Sequence, residues 1–267
     1  MTGLSKEAVE NLGSPLAVQV DFHEEVGSTQ ERARELAGGT PGAPHGTLVI
    51  SEVQKGGRGR LARHWGSPPG GLWFSLVLRL EIPVHLASRI TQAAAVGVAK
   101  ALWGFGVEAR IKWPNDLLVI KPGELAGRKI CGILAETGAS RRPLDFVVLG
   151  IGVNANLDPE DLHVPDRKVA TLRSELGRDV DLVELLDAIL SRLDGELERI
   201  EDFDVVLDDW RALNCTLGRL VRVERFGEVL EGRAADLTPE GALLLETPEG
   251  AVELFEGEVE HLRQEGT

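Results

Sequence analysis

Apolar positions change texture three times along the 267 residues. Before residue 154 they come mostly in short, β-rich or apolar runs: Thr47–Val53, Leu72–Leu80, Ala109–Trp113, Leu117–Ile120, Ile130–Ala135 within Arg128–Glu136, and Phe146–Val153. Runs of this length, bounded by turn residues, predict strands. Between them, Val84 to Phe105 has a helical period with Ile90, Ala94, Val98, Ala101 and Leu102 on one side, small residues that suggest close packing. Earlier, Ser28-Thr29-Gln30-Glu31 has the form of a capping box and opens a helical run to about Ala37, and a short helix fits Lys6–Leu12. Leu182, Leu185, Leu186, Ile189, Leu190 and Leu193 then recur at one face of an amphipathic helix, which we read as a core face. Phe203–Leu213 predicts one more helix, whereas 158–180 is polar and reads as an irregular surface connection. After Cys215 the runs shorten: Leu220–Val223, Glu228–Ala234, Ala242–Glu246 and Ala251–Phe255, separated by Phe226-Gly227, Thr238-Pro-Glu-Gly241 and Thr247-Pro-Glu-Gly250. That pattern suggests a small antiparallel barrel.

The pattern as a whole predicts an α+β fold, with a mixed, largely antiparallel sheet and packed helices over residues 1–214 and a small β-barrel domain over 215–267. Composition narrows the function class. A net charge of −14 argues against a nucleic-acid or anionic-membrane partner. No apolar run reaches membrane-spanning length, and the N-terminus lacks the order of a signal peptide, so a cytoplasmic location is expected. Cys131 and Cys215 have no ligand spacing, and no metal site is read from the sequence.

In so acidic a chain, a cationic cluster has to be local. Gln54–Trp65 (Gln-Lys-Gly-Gly-Arg-Gly-Arg-Leu-Ala-Arg-His-Trp) has neither a strand nor a helix period, and it places Arg58, Arg60 and Arg63 within six residues. Guanidinium forks match phosphate and carboxylate oxygens two at a time. The Lys-Ser/Thr ending of a Walker loop is missing, and alone the segment would be a solvated basic loop. Three further polar motifs lie at ends or edges of predicted strands: Lys112-Trp-Pro-Asn-Asp116, Arg128-Lys129-Ile-Cys-Gly-Ile-Leu-Ala-Glu136 and Gly150-Ile-Gly-Val-Asn154.

In this order, with Ser28-Thr29 upstream, the four motifs resemble the biotin protein ligases of the BirA type, closely over about residues 20–156 and more loosely in the C-terminal part. The resemblance implies a class II synthetase-like ligase core with an SH3-like β-barrel. It also implies an ATP-dependent biotin–[acetyl-CoA-carboxylase] ligase that forms biotinoyl-5′-AMP and passes biotin to a lysine of a biotin carboxyl carrier protein, with Mg²⁺ accompanying ATP. By the same resemblance, Lys129, Arg60 and Asp116 are catalytic. Biotin is held by Ser28, Thr29, Gln30, Gln54, Arg58, Gly59, Arg60, Trp73, Lys129 and Gly132. The adenylate is held by Arg58, Arg60, Arg63, Trp65, Asn115, Lys129 and Asn154, with Trp65 beside the adenine and Asn154 reading its edge. Lys112 is read as holding the turn that presents Asp116. Two departures bear on fine geometry: Ala62 stands where the family often has Gly, and Gln30 where Asn is common. The lipoate and octanoate ligases share the adenylation chemistry and are the runner-up reading. A biotin-sensing regulator is the third, but only 27 residues precede Ser28, against the roughly sixty a DNA-binding module needs, so a monofunctional ligase is expected. A homodimer through an exposed sheet edge is compatible with this reading.

Overall fold

The computed structural model describes residues 3–122, 124, 127–138, 145–162 and 169–262. Its large sheet has seven strands: β1 (Gln19–Val26), β2 (Thr47–Gln54), β3 (Leu72–Leu78), β4 (Ala109–Lys112), β5 (Asp116–Val119), β6 (Arg128–Thr137) and β7 (Val147–Val153). They are ordered β1-β2-β3-β7-β6-β5-β4, and only β1–β2 is parallel. Strand alternation divides the sheet's two faces. Leu48, Ile50, Leu72, Phe74, Leu76 and Leu78 join the main core with α3 (Ser88–Gly104), α5 (Leu182–Glu198) and α6 (Phe203–Leu213). Val49, Val77 and Val148 turn the other way and pack on Ala33 and Ala37 of α2 (Thr29–Ala37). Among the described residues α2 is the one longer helix packed on that second face, and the rest of it is left for a site.

The helical periods read from sequence have physical partners. All six residues of the Leu182–Leu193 stripe are buried. A Cβ on Gly97 would come within 3.1 Å of the Leu193 backbone, so the small residues of α3 permit a close crossing with α5 as well as packing on the sheet. A short 3-10 turn, Val84–Leu86, precedes α3, so the helix starts later than its apolar pattern. Ser28 does cap α2 by accepting from Glu31 N, but the Glu31 carboxylate turns to Arg58 at 2.9 Å and the box is half formed.

Three elements lie outside the sequence reading. Val20, Phe22 and Val26 alternate in β1, but Asp21, His23, Glu24 and Glu25 mask the pattern of this half-buried edge strand. Within the expected irregular connection lies α4 (Leu172–Leu176), started by a Thr171–Ser174 capping box and too short to show a period; residues 163–168 of that connection lie outside the described residues. At the C-terminus, β12 (Glu258–His261) hides as an acidic stretch, because Val259 is its only buried side chain.

The small domain is one antiparallel sheet built from β8 (Leu220–Arg225), β9 (Glu228–Leu237), β10 (Leu243–Thr247), β11 (Gly250–Leu254) and β12. Its order is β11-β10-β9-β8-β12, with β11 and β12 at the two ends. Its inward residues, among them Val221, Val223, Leu243 and Leu245, are continuous with the main core. Ser88, Arg89 and Gln92 of α3 donate to the carbonyls of Glu240, Pro239 and Gly241, and Arg211 of α6 grips Asp236 with both arms at 2.7 and 2.8 Å. Among the described residues no helix is long and apolar enough to cross a membrane.

Candidate active site

A cleft of about 450 Å³ opens on the sparsely covered face of the large sheet. It is walled by the start of α2, the Arg58–Trp65 segment, the β4–β5 turn, the middle of β6 and β7, and β12 of the small domain. A β-bulge builds one wall. The β5–β6 register slips between Leu117 and Leu118, so that Lys129 and Gly132 both face the cleft although they are an odd number of positions, three, apart. An extra residue in a strand re-aims a side chain in this way. Ile130 and Cys131 turn into the core instead.

The arginine segment is an anchored loop. Gly56 N donates to Gly27 O at 2.7 Å, Gly59 N to Arg63 O at 2.8 Å and Trp65 N to Gly57 O at 2.8 Å. Leu61 and Ala62 have φ of 54° and 56°, so the alanine at a commonly glycine position is held in the left-handed region. Four cations of the cleft face protein oxygens. Arg58 pairs with Glu31 at 2.9 Å, Arg63 with Glu258, and Lys129 Nζ with Asp116 Oδ1 at 2.6 Å. Arg60 donates to Asn115 Oδ1 at 3.3 Å and Gly257 O at 3.2 Å. Burial pulls the Arg60 guanidinium below its usual value, partly offset by Asp116, Glu256 and Glu258. Asn115 is itself fixed by donating to Ile133 O at 2.7 Å.

Trp65 lies over two glycines paired across β6 and β7. A Cβ on Gly132 would come within 2.9 Å of its ring and one on Gly152 within 2.6 Å, so the indole has a flat floor that no other residue type leaves open. Lys129 Nζ is 4.9 Å from the same ring, and the indole Nε1 is buried with no hydrogen-bond partner among the described residues.

At the opposite end the cleft becomes polar without becoming charged. Gln54 Oε1 accepts from Thr29 N at 2.8 Å and from Thr29 Oγ1 at 3.0 Å, while Gln54 Nε2 donates to Ser67 Oγ at 2.8 Å. A backbone N–H can only donate, so the orientation of this amide is fixed. Ser28, Gln30 and Leu134 also line the cleft, whereas the Phe74, Ile133 and Ile151 side chains belong to the main core on the other face of the sheet.

Most of the residues expected from sequence converge here: Ser28, Thr29, Gln30, Gln54, Arg58, Gly59, Arg60, Arg63, Trp65, Asn115, Asp116, Lys129 and Gly132 all line the cleft. Two do not. Trp73 is fully buried among Leu157, Leu162 and Trp65, meeting Trp65 edge-on at 6.3 Å between ring centroids and donating to Pro68 O, so it props Trp65 from behind rather than walling the ring pocket. Asn154 is also buried: its amide donates to Lys129 O and Ala170 O, which braces the Lys129 strand from outside the cleft, and its Oδ1 has no partner among the described residues. Sequence reasoning missed Ser75, which lines the polar end, and Gly257–His261 of the small domain, and it gave no role to Gly150, which stands in a motif it had marked. Ser75 had a visible signal, being the only polar residue of Leu72–Leu78.

His261 lies at the joint between the domains, beside Thr216 Oγ1 at 3.4 Å, and burial followed by Lys112 and Arg219 pulls its pKa down to about 4. The unfolded chain protonates this side chain near 6.5, the folded chain only near 4. Its contribution to stability is therefore complete above about pH 6.5 and is lost as pH falls toward 4. His261→Gln is expected to flatten the melting-temperature-versus-pH curve between these values, and parallel wild-type and variant curves would refute the assignment.

Comparison with known proteins places this arrangement. The biotin/lipoate A/B protein ligase family pattern matches residues 27–154, and the biotin protein ligase C-terminal domain pattern matches residues 216–262. The bifunctional ligase/repressor BirA of Bacillus subtilis is 34% identical over 244 residues, covering 90% of this chain and 73% of that protein. The biotin–[acetyl-CoA-carboxylase] ligase of Mycobacterium tuberculosis is 32% identical over 255 residues, covering 92% and 90%. A biotin protein ligase from Aquifex aeolicus, solved in complex with biotin and ATP, superposes with a TM-score of 0.75 at 28% identity, covering 93% of this chain and all of that one. With relatives matched along nearly its whole length, the chain belongs to the biotin/lipoate A/B protein ligase family.

Proposed function

We propose that the protein is a biotin protein ligase, which joins biotin to ATP and then transfers the biotinoyl group to one lysine of a biotin carboxyl carrier protein. The observation that carries this reading is what the cleft combines: a network of uncharged hydrogen-bonding groups around Thr29, Gln54 and Ser75 together with the cations Arg58, Arg60, Arg63 and Lys129. Biotin combines the same two needs, a cyclic urea and a carboxylate. Ser28, Thr29 and Gln54 offer both acceptors and donors to a urea. The dithiolane of lipoate and the methyl end of octanoate carry no group that can exchange hydrogen bonds with this network, and displacing its water without replacement costs about 1–3 kcal/mol for each polar atom stripped.

In the first half-reaction a carboxylate oxygen of biotin attacks the α-phosphorus of ATP; the new O–P bond forms as the bond to pyrophosphate breaks. Two anions must meet, so cations have to offset both the repulsion and the developing charge. The partners these cations hold without substrate, Glu31, Asp116 and Glu258, are partly exposed carboxylates that incoming phosphate and carboxylate oxygens can replace. Lys129 meets the reacting oxygens, Arg58 and Arg60 clamp biotin and phosphate, and Trp65 supplies a stacking face for adenine. Asn154 acts by holding the backbone of Lys129. In the second half-reaction the carrier's lysine nitrogen attacks the acyl carbon, AMP departs, and Asp116 receives or directs the amine's proton. Mg²⁺ would come with ATP and offset part of the triphosphate charge. The cytoplasmic location and a homodimer through the outer edge of β1 belong to the same proposal.

Pyrophosphate release from Mg-ATP tests the reading. It is expected with biotin and to be at background with lipoate or octanoate; equal stimulation by the three acids would move the assignment to lipoate-type chemistry.

A further inference from the structure

Ser75 is fully buried in a strand of otherwise apolar residues, yet it lines the cleft. A hydroxyl is costly in such a place unless it is hydrogen-bonded. Its Oγ lies 3.1 Å from Gln30 Oε1 and 2.9 Å from Thr29 Oγ1. The Gln30 amide cannot be turned round. Its nitrogen faces three acceptors, Val148 O and Glu136 Oε2 at 3.0 Å and Leu134 O at 3.5 Å, and an oxygen there would meet oxygen on every side. Gln30 Oε1 therefore points at Ser75, and because a carbonyl only accepts, the single Ser75 proton is committed to it. Thr29 Oγ1 therefore supplies the proton of the 2.9 Å contact with Ser75 Oγ, shared with Gln54 Oε1 at 3.0 Å, because no other proton can bridge that pair. Ser75 Oγ keeps its second lone pair, on a residue that lines the cleft. The arrangement also depends on Gly150, where a Cβ would come within 2.5 Å of Gln30 Oε1. Gln30, one methylene longer than the asparagine common in the family, fills that space.

We infer that Ser75 is a further substrate-reading residue, which accepts a ring N–H of the biotin urea, and that Gln30 is the positioning residue that keeps the Ser75 proton turned away from the substrate. The inference rests on the biotin reading above and names a contact within it.

The test uses wild-type protein and Ser75→Ala, a substitution that removes only the hydroxyl, in pyrophosphate release with biotin and with the two biotins carrying one N-methyl group on the urea. Ser75→Ala is expected to raise KM for biotin about tenfold, the worth of one buried hydrogen bond, with kcat within about twofold. For the analogue methylated at the nitrogen that Ser75 reads, the wild type is already weakened and Ser75→Ala adds less than about twofold. An unchanged KM for biotin, or an equal rise for biotin and both analogues, would overturn the role of Ser75. Gln30→Met should raise KM for biotin about as much as Ser75→Ala, and the double variant no more than either alone, because both act through one contact. Multiplying effects would overturn the positioning role of Gln30. Gln30→Asn, whose amide is too short to hold Ser75 and Val148 together, gives the same comparison if the methionine variant does not fold. Wild-type protein releasing no pyrophosphate with biotin would overturn the ligase reading itself, a failure distinct from either of these.

Discussion

Lys129→Ala is expected to lower single-turnover adenylate formation by about a hundredfold to a thousandfold, the range found when one preorganised group facing developing charge is removed. Lys112→Ala should lower it less than about tenfold. Both lysines line the cleft, so proximity does not separate them. Their surroundings do. The β6 bulge aims Lys129 across the floor, between Asp116 and the Trp65 ring, where a carboxylate and an α-phosphate have to meet. Lys112 ends β4 opposite Asp116 in the ladder, and its charge acts on His261 and Cys215 at the joint between the domains. Removing it should loosen that joint and show in the melting temperature. Equal losses of single-turnover rate in the two variants would refute this division, whereas a pure rise in KM for Lys129→Ala would reduce its role to ground-state binding.

How much of this was legible in the sequence depended on what held each piece in place. The core strands and α5 were readable because burial on a continuous apolar face leaves a period, as the Leu182–Leu193 stripe and the Leu72–Leu78 run show. Edge elements were not. β1 and β12 each bury few side chains, and their charged residues resemble a solvated surface. Missing β12 hid the part the small domain plays in the cleft, where Glu258 meets Arg63 and Gly257 O meets Arg60. The cationic residues stood out because charge clustering in an acidic chain is a chemical signal independent of fold, and the fold brings Arg58, Arg60, Arg63 and Lys129 to one cleft. Trp73 and Asn154 fall outside the cleft lining for a geometric reason. Sequence gives the face of a strand but not what lies over it, and Trp65, Leu157 and Leu162 cover the one while Lys129 O and Ala170 O occupy the amide of the other.

Asp116→Asn separates the two half-reactions. The substitution keeps the size and turn geometry of the side chain and removes its charge. The carboxylate sits 2.6 Å from Lys129 Nζ when no substrate is present, and it opens β5 directly after Asn115, which the Ile133 carbonyl anchors. During adenylation, Lys129 moves its interaction to substrate oxygens and Asp116 is a bystander, so the variant should form biotinoyl-AMP within about tenfold of the wild-type rate. Transfer is different. A lysine amine with an ordinary pKa of about 10.4 arrives protonated at neutral pH and must lose that proton before its lone pair can attack. A carboxylate released from Lys129 at that moment is placed to take it, and positioned bases contribute about a hundredfold to ten-thousandfold. Starting from preformed biotinoyl-AMP and a carrier domain, the variant should transfer biotin about a hundredfold more slowly at pH 7. The deficit should shrink as pH rises toward 10, where solvent supplies the free amine. Equal slowing of both half-reactions, with no recovery at high pH, would show that Asp116 serves only to hold Lys129 and that the amine loses its proton elsewhere.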